Sequence, residues 1–317
     1  MKKMKLSDYI VQYLEKENIK IAFGYIGGMV THLIDSIVVS EEIRYIQTYH
    51  EQTAALAAEA YARETQNIGV AISSSGPGVT NMMTGIANAY FDSIPVLYIT
   101  GQVNTYEYKY DKPIKQQGFQ EMDVISVVTP ITKYASLVDD PNKIRYELEK
   151  AIYLAKEGRK GPVVLDIPLN IQREEINPDE LEGFIPTKEK QNFPAIDYKE
   201  IISLIKQAKK PMLLIGAGLN SQEAKEKLET FLAHTSFPFV TSLLGRGLVN
   251  ESLDNYLGMI GSYGNRCANM GIANVDLLIV LGSRLDTRQT GARYEDFAKK
   301  GTIIHVDIDK NELENNR

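Results

Sequence analysis

Short runs of β-branched and aromatic residues alternate with helix-length stretches along almost the whole chain, and few architectures accept that rhythm. The runs are "IAFGY" (21–25), "IRYIQTY" (43–49), "GVAISSS" (69–75), "PVLYITG" (95–101), "ITKYASL" (131–137) and "PVVLDIP" (162–168), with helical stretches at 29–38, 50–64, 79–91 and 141–157. A strand that feeds a helix that feeds the next strand is the pattern of a parallel sheet covered on both faces. Residues 1–170 therefore read as one complete doubly wound domain. In the segment that follows, Pro178, Pro186 and Pro194 interrupt any helix or inner strand, so 171–196 reads as a linker. The alternation restarts with a helix at 197–209, "PMLLIGAG", a helix at 221–234, "PFVTSL", "DLLIVLG" (276–282) and "TIIHVDID" (302–309). Residues 197–317 read as a second, Rossmann-like domain that is incomplete. The expected fold class is α/β, with two doubly wound parallel-sheet domains.

A chain of 317 residues has room for two cores of this kind. A net charge of -6 and a pI near 5.4, without a long Lys/Arg cluster, leave no electrostatic footprint for nucleic acid or an anionic membrane. The start "MKKMKLSDYIVQYLEKEN" turns amphipathic after its lysines and does not read as a signal peptide, and no stretch is apolar enough to span a bilayer. A cytoplasmic protein is expected. The single cysteine, Cys267, reads as a small buried apolar residue.

Chemistry concentrates where strands meet helices. "HEQTA" lacks the second histidine of a zinc H-E-x-x-H motif, because Ala54 stands there, and His32, His234 and His305 are scattered singly. No metal site follows from spacing. Glu51 is different: "IRYIQTY" delivers it to the carboxyl edge of the sheet, where open α/β folds bind ligands. The helix start favours its charged form and burial beneath a ligand its protonated form. As a plain structural residue, Glu51 would only complement the helix dipole. "SSSGPGVTN" (73–81), "GYIGGM" (24–29) and "ITGQV" (99–103) place glycines after three strands of one sheet, which implies one crevice. The first of these also reads as a tight turn with Thr80 or Asn81 as the helix cap. "IGAGLNSQE" (215–223) resembles G-x-G-x-x-G but ends in Ser221, a weak dinucleotide signal that leaves NAD as a lesser alternative. "LGSRLDTRQTG" (281–291) sets Arg284, Asp286 and Arg288 beyond an apolar strand, as nucleotide contacts or as local ion pairs of a surface turn.

Taken in order, "FGYIGG", "YHEQTAALAAEAYAR", "SSGPGVTNMMTGIANAYFDSIPVLYITGQV", "GFQEMD", "TKYA" and "GRKGPVVLDIP" resemble the pyrimidine-binding domain of thiamine-diphosphate enzymes of the acetolactate synthase group, over nearly all of 1–170. The second region is similar to their middle domain. The resemblance implies a carboligase or lyase acting on a 2-keto acid. Glu51 then stands where the family glutamate hydrogen-bonds N1′ of the aminopyrimidine and promotes formation of the thiazolium ylid. It further implies that Pro77 and Asn81 border the pyrimidine, that Gly27 and Gly28 approach the reacting centre, and that Phe119 and Gln120 lie near the substrate. Arg159 matches a position that holds FAD, and Gly216, Gly261, Arg284 and Arg288 are its further candidate contacts. A homodimer or homotetramer is implied in the same way.

The sequence also departs from the family. Ile26 replaces the proline of "GYPGG", Leu169 replaces a lysine in "DIPLN", and the loop before "GFQE" is longer and carries Tyr106, Tyr108, Lys109, Tyr110, Lys112 and Lys115. The extra lysines and tyrosines suit a larger or anionic acceptor, or simply a solvated loop. No G-D-G occurs, so the domain that binds the diphosphate through Mg²⁺ is expected to be missing, and the chain reads as a fragment inactive alone. The alternatives are a related 2-keto acid decarboxylase or lyase, or a non-catalytic nucleotide-binding or assembly module.

Overall fold

Leu6, Ile10 and Leu14 recur at helical spacing and are fully buried, so the chain opens with an amphipathic helix laid on a sheet. The computed structural model describes residues 3–187 and 196–315, and two units separate, Met1–Glu189 and Lys190–Arg317. In the first, β1 (Met4–Lys5) and α1 (Leu6–Lys16) lead into β2 (Ile21–Gly24), α2 (Thr31–Val38), β3 (Arg44–Gln47), α3 (Glu51–Thr65), β4 (Gly69–Ser74) and α4 (Pro77–Phe91). Then come β5 (Val96–Gln102), α5 (Val124–Val128), β6 (Tyr134–Leu137), α6 (Ile144–Lys156), β7 (Val163–Pro168), α7 (Leu169–Gln172) and β8 (Glu175–Ile176). All six runs read as strands are strands.

They form one parallel sheet in the order β3-β2-β4-β5-β7-β6. The chain leaves β2 toward β3 on one side and resumes at β4 on the other, which makes the β2/β4 gap a topological switch point. Residues 171–187, read as part of the linker, here include β8, which pairs antiparallel with β1; the remaining linker positions 188–195 lie outside the described residues.

The inner strands are buried on both faces and read as continuous apolar runs. On one face α1, α2 and α6 supply long aliphatic side chains. The other face is covered by α3 and α4, and it is built from small residues: Ala54, Ala55, Ala58 and Ala62 are buried. Their size sets the approach distance. A Cβ on Gly85 would lie 2.4 Å from Ala55 Cβ, and one on Gly69 would lie 2.0 Å from the carbonyl oxygen of Ala58.

The second unit comprises α8 (Tyr198–Gln207), β9 (Pro211–Ile215), α9 (Gln222–His234), β10 (Phe239–Thr241), β11 (Tyr256–Met259), α10 (Arg266–Ala273), β12 (Leu277–Leu281), α11 (Thr287–Thr290), β13 (Thr302–Val306) and α12 (Lys310–Asn315). Its parallel sheet runs β11-β10-β9-β12-β13. Strand β11 was not legible in the sequence, because Gly258 breaks its pattern at φ +103 and the register shifts where it pairs with β10. Cys267 corrects the expectation of burial: α10 turns Ala268 and Ile272 inward, and Cys267, one position off that stripe, is exposed. Among the described residues no helix is long and apolar enough to cross a membrane.

The tight α3–β4 contact generates a stability prediction. Gly69→Ala drives a methyl group into a backbone carbonyl that cannot rotate away, and should destabilise the first unit by about 1–3 kcal/mol in urea unfolding. Full wild-type stability in that variant would show that α3 sits farther from the sheet.

Candidate active site

Two helices start at the switch point, and each brings a motif to it. At the end of β3 the backbone N–H and hydroxyl of Thr48 both donate to Gly24 O, at 2.8 and 3.2 Å, fastening this turn to β2. His50 is extended at φ -158 and caps α3 by accepting the Gln52 N–H on Nδ1 at 3.2 Å. Glu51 is therefore the first residue of the helix and is half-buried. On the other side Gly76 takes φ +62, a conformation that favours glycine, and Pro77 begins α4 with its φ already set. The helix thus starts at Pro77, two residues before the expected 79. Neither Thr80 nor Asn81 is its cap.

Asn81 is turned to another purpose. Its Nδ2 donates to Glu51 Oε2 at 2.9 Å, across thirty residues of sequence. Glu51 Oε1 accepts no hydrogen bond from the described residues. A Cβ on Gly78 would sit 3.4 Å from that oxygen, so the glycine keeps the carboxylate uncovered. The side chain is held by one oxygen and presents the other.

The glycine turns converge as their sequence positions suggested. A Cβ on Gly27 would fall 2.1 Å from Ser74 Oγ, a buried hydroxyl that has no hydrogen-bond partner among the described residues. One on Gly101 would fall 2.0 Å from Met29 O, whereas Gly28 faces open space. Gly76 lies against the carbonyl of Gln120, which brings the "GFQE" segment to the same rim. Gln120 holds φ +61, an uncommon conformation for a residue with a side chain, and Phe119 is 81% exposed beside it. Tyr25, Ile26 and Tyr49 are exposed on the neighbouring turns.

The long loop before Phe119 is fastened to the fold. Glu121, nearly buried, accepts the N–H groups of Lys109 (2.7 Å), Gln117 (2.6 Å) and Gly118 (2.9 Å). Asn170, the residue after Leu169, accepts from the Thr105 N–H at 2.9 Å and donates to its hydroxyl at 3.0 Å. Tyr108 is buried edge-on against Tyr110, while Tyr106 and the side chains of Lys112 and Lys115 face solvent.

Beneath the rim lies a polar layer that the motif reading missed. Asp166, fully buried on β7, accepts the hydroxyl of Thr100 at 2.6 Å and Nε2 of Gln102 at 2.9 Å. Burial pushes its carboxyl up to about 7, against the pull of those two donors and with a push from Asp123. The visible signal was a charged residue inside the apolar run "PVVLDIP".

The remaining candidates do not join Glu51. Arg159 donates from Nε to Ser93 Oγ at 2.9 Å, at the amino ends of β5 and β7, the opposite end of the strands. In the second unit Gly216, Gly261, Arg284 and Arg288 gather at the carboxyl edge of β9, β11 and β12. Local partners already occupy them: a Cβ on Gly216 would lie 2.2 Å from Gly282 O, Gly261 at φ +102 packs on Arg288 O, and Arg288 Nη1 donates to Tyr263 Oη at 3.0 Å. Arg284 stands 3.7 Å from Asp286. Ser221, at the third position of the glycine-rich turn, caps α9 through the Ala224 N–H. Among the described residues no cluster of three or more His, Cys, Asp or Glu side chains is placed to hold a metal ion.

Residues 4–127 match the family described as "Thiamine pyrophosphate enzyme, N-terminal TPP binding domain", and residues 198–317 match "Thiamine pyrophosphate enzyme, central domain". The chain is similar to the acetolactate synthase large subunit of Cyanidium caldarium, at 37% identity over 97% of this chain and 53% of the relative. It is similar to the acetolactate synthase isozyme 2 large subunit of Escherichia coli (strain K12), at 37% over 97% of this chain and 54% of the relative. A probable acetolactate synthase large subunit of Methanocaldococcus jannaschii is 38% identical over 99% and 52% respectively. The chain spans about half the length of the curated relatives it matches.

The buried carboxyl generates a pH prediction with a definite sign. Between about pH 4 and about pH 7 the folded chain keeps the Asp166 proton and the unfolded chain releases it, so stability falls as pH rises through that window. The loss is on the order of 4 kcal/mol when complete. Urea unfolding of Asp166→Asn, compared with wild type across the window, should lack this component; identical pH profiles would mean that Asp166 is ionised at low pH despite its burial.

Proposed function

Because the chain belongs to the thiamine pyrophosphate enzymes, whose N-terminal and central domains it carries, we propose that the crevice at the switch point is the aminopyrimidine half of a thiamine-diphosphate site, with Glu51 as its catalytic carboxyl group. The observation that carries the proposal is the divided carboxylate: Oε2 is held by Asn81 and Oε1 is presented bare beside Gly78. An oxygen left open at the mouth of a glycine-lined cleft suits a ring nitrogen. The bare face at Gly28 and the exposed rings of Tyr25, Tyr49 and Phe119 suit a surface that a ligand and a further domain would cover.

Bound thiamine diphosphate supplies the carbanion chemistry for a 2-keto acid. The chain's residues set its conditions. Asn81 fixes the Glu51 rotamer, so that Oε1 can hold a proton against N1′ of the aminopyrimidine. The amino ends of α3 and α4 both face the crevice and favour negative charge there. Pro77 and Gly78 would border the ring, Gly27 and Gly28 would let it approach the backbone, and Phe119 and Gln120 would face the substrate. We place the pyrimidine-binding domain at 1–170 and the middle domain at 197–317, with Mg²⁺ and the diphosphate held by a domain beyond these two, in a cytoplasmic homodimer or homotetramer. The reaction proposed is that of an acetolactate-synthase-like carboligase or lyase acting on a 2-keto acid. FAD at Arg159, Gly216, Gly261, Arg284 and Arg288 rests on resemblance alone. The partners already found for the glycines and for Arg288 account for those residues without a flavin, and no step passes through it.

In the holoenzyme, Glu51→Gln preserves the contact with Asn81 but cannot hold or exchange a proton at Oε1. Turnover of the 2-keto acid should fall by about 100-fold or more, measured as carbon dioxide release. Turnover within about threefold of wild type would contradict the role of Glu51.

A further inference from the structure

Gln102 ends β5 inside an apolar strand, is fully buried, and has a partner within reach of every hydrogen-bonding position of its side chain. Nε2 donates to Asp166 Oδ2 at 2.9 Å and to Met122 O at 2.8 Å. Oε1 accepts from the Val103 N–H at 3.0 Å and stands 3.0 Å from Ser75 Oγ. The Ser75 hydroxyl also lies 3.0 Å from Gln120 O, and 3.2 Å from Met29 Sδ. One amide thus touches β7, Ser75 just before the Gly76–Gly78 turn and the "GFQEMD" segment at Met122, and reaches the Gly27–Met29 turn through Ser75.

An amide can be placed either way round, and only its neighbours decide which. Two backbone groups decide here: Met122 O can only accept and the Val103 N–H can only donate, so the NH₂ end faces Met122 and Oε1 faces Val103. Asp166 agrees with them, since Thr100 occupies Oδ1 and Oδ2 is left to accept from the same NH₂ end. Gln102 therefore ties the carbonyl of Met122 to the sheet directly, and the single Ser75 proton, when it is not on Gln102 Oε1, ties the carbonyl of Gln120. This matters because Gln120 sits at φ +61, which a free loop would relax.

We propose that Gln102, held by the buried carboxyl group of Asp166 and by the backbone at 103 and 122, is the positioning residue that fixes the Phe119–Gln120 segment over the crevice. That the segment faces a reacting substrate rests on the proposed function. The hold on it does not.

The chemistry separates orientation from mere packing. If Asp166 takes up a proton, Thr100 can reverse and accept it while Oδ2 still receives Gln102, so the amide keeps its orientation. Asparagine at this position offers the same pattern, with its oxygen toward Gln102 and its NH₂ toward Thr100; leucine offers none. In Gln102→Glu two carboxyl groups meet: when both are protonated, the glutamic acid hydroxyl can accept the Asp166 proton and donate its own to Met122 O, and ionisation removes that donor and sets two negative charges together. Asp123 acts on the same site, and Tyr108 lies within its field together with Glu121. All three are present in every variant.

The test is hydrogen exchange of amides 118–123 in the 317-residue chain, with α1 and the second unit as internal controls. Gln102→Met should reduce protection by about tenfold or more while the controls hold. Asp166→Leu should do the same, and Asp166→Asn should restore protection to near wild type. Gln102→Glu should be protected at about pH 5 and released at about pH 9, whereas wild type, corrected for intrinsic exchange and read relative to the control amides that follow the global loss of stability, keeps its protection across that range. Protection in Gln102→Met within about twofold of wild type overturns the proposal. So does a flat profile in Gln102→Glu, or equal loss in Asp166→Asn and Asp166→Leu. If the Asp166 variants do not fold, the two Gln102 variants decide. Glu51→Gln should leave this protection unchanged, so failure of the catalytic reading and failure of this one are read on different variants.

Discussion

The amide of Asn81, on α4, donates to one oxygen of Glu51 at the start of α3, and everything the crevice presents depends on that contact. A carboxylate at the start of a helix has two ordinary fates: it complements the dipole in solvent, or it binds the backbone N–H groups of its own first turn. Here His50 takes the capping role and leaves Glu51 unoccupied by its own helix. Asn81, from a second helix, then removes its rotational freedom at one oxygen only. Gly78 completes the arrangement by withholding a side chain. The result is an acid group fixed in direction with one oxygen open.

That arrangement needs α3 and α4 close together, and the closeness comes from small residues. Ala55 against Gly85 and Ala58 against Gly69 let the helices settle on the sheet at separations that larger side chains would forbid. Alanine is also a strong helix former, so the same residues give the helix and its packing. On the far side of the crevice a different device operates. Buried polar side chains at the carboxyl ends of β5 and β7, fully paired with one another, give the rim loops directional anchors that an apolar core cannot supply. Glu121 adds a third anchor by gathering three backbone N–H groups of the long loop.

Much of this was legible in the sequence because burial on both faces leaves an unmistakable mark. The strands β4, β5 and β7 are short, largely apolar runs, with Gly76 shortly after the first, Gly101 near the end of the second and Pro168 ending the third, and their neighbours follow from the alternation. Glu51 and the three glycine turns were legible from their place after strands. What stayed hidden was pairing. Asn81 is thirty positions from Glu51, and Asp166 is sixty-four from Gln102, so neither bond can be read from spacing. Asn81 looked like a helix cap until Gly76 and Pro77 were seen to start the helix earlier. Strand β11 was hidden by Gly258, and the exposure of Cys267 by a single position on the turn of α10. Arg159 matched a motif but stands at the opposite end of the strands from the crevice.

The account comes down to what Glu51 Oε1 is for. A structure of the holoenzyme with thiamine diphosphate bound measures this directly. The account predicts Oε1 at about 2.6–3.0 Å from N1′ of the aminopyrimidine, with Asn81 still on Oε2. An aminopyrimidine seated elsewhere, or an Oε1 taken up by another protein group when the cofactor is bound, would contradict it.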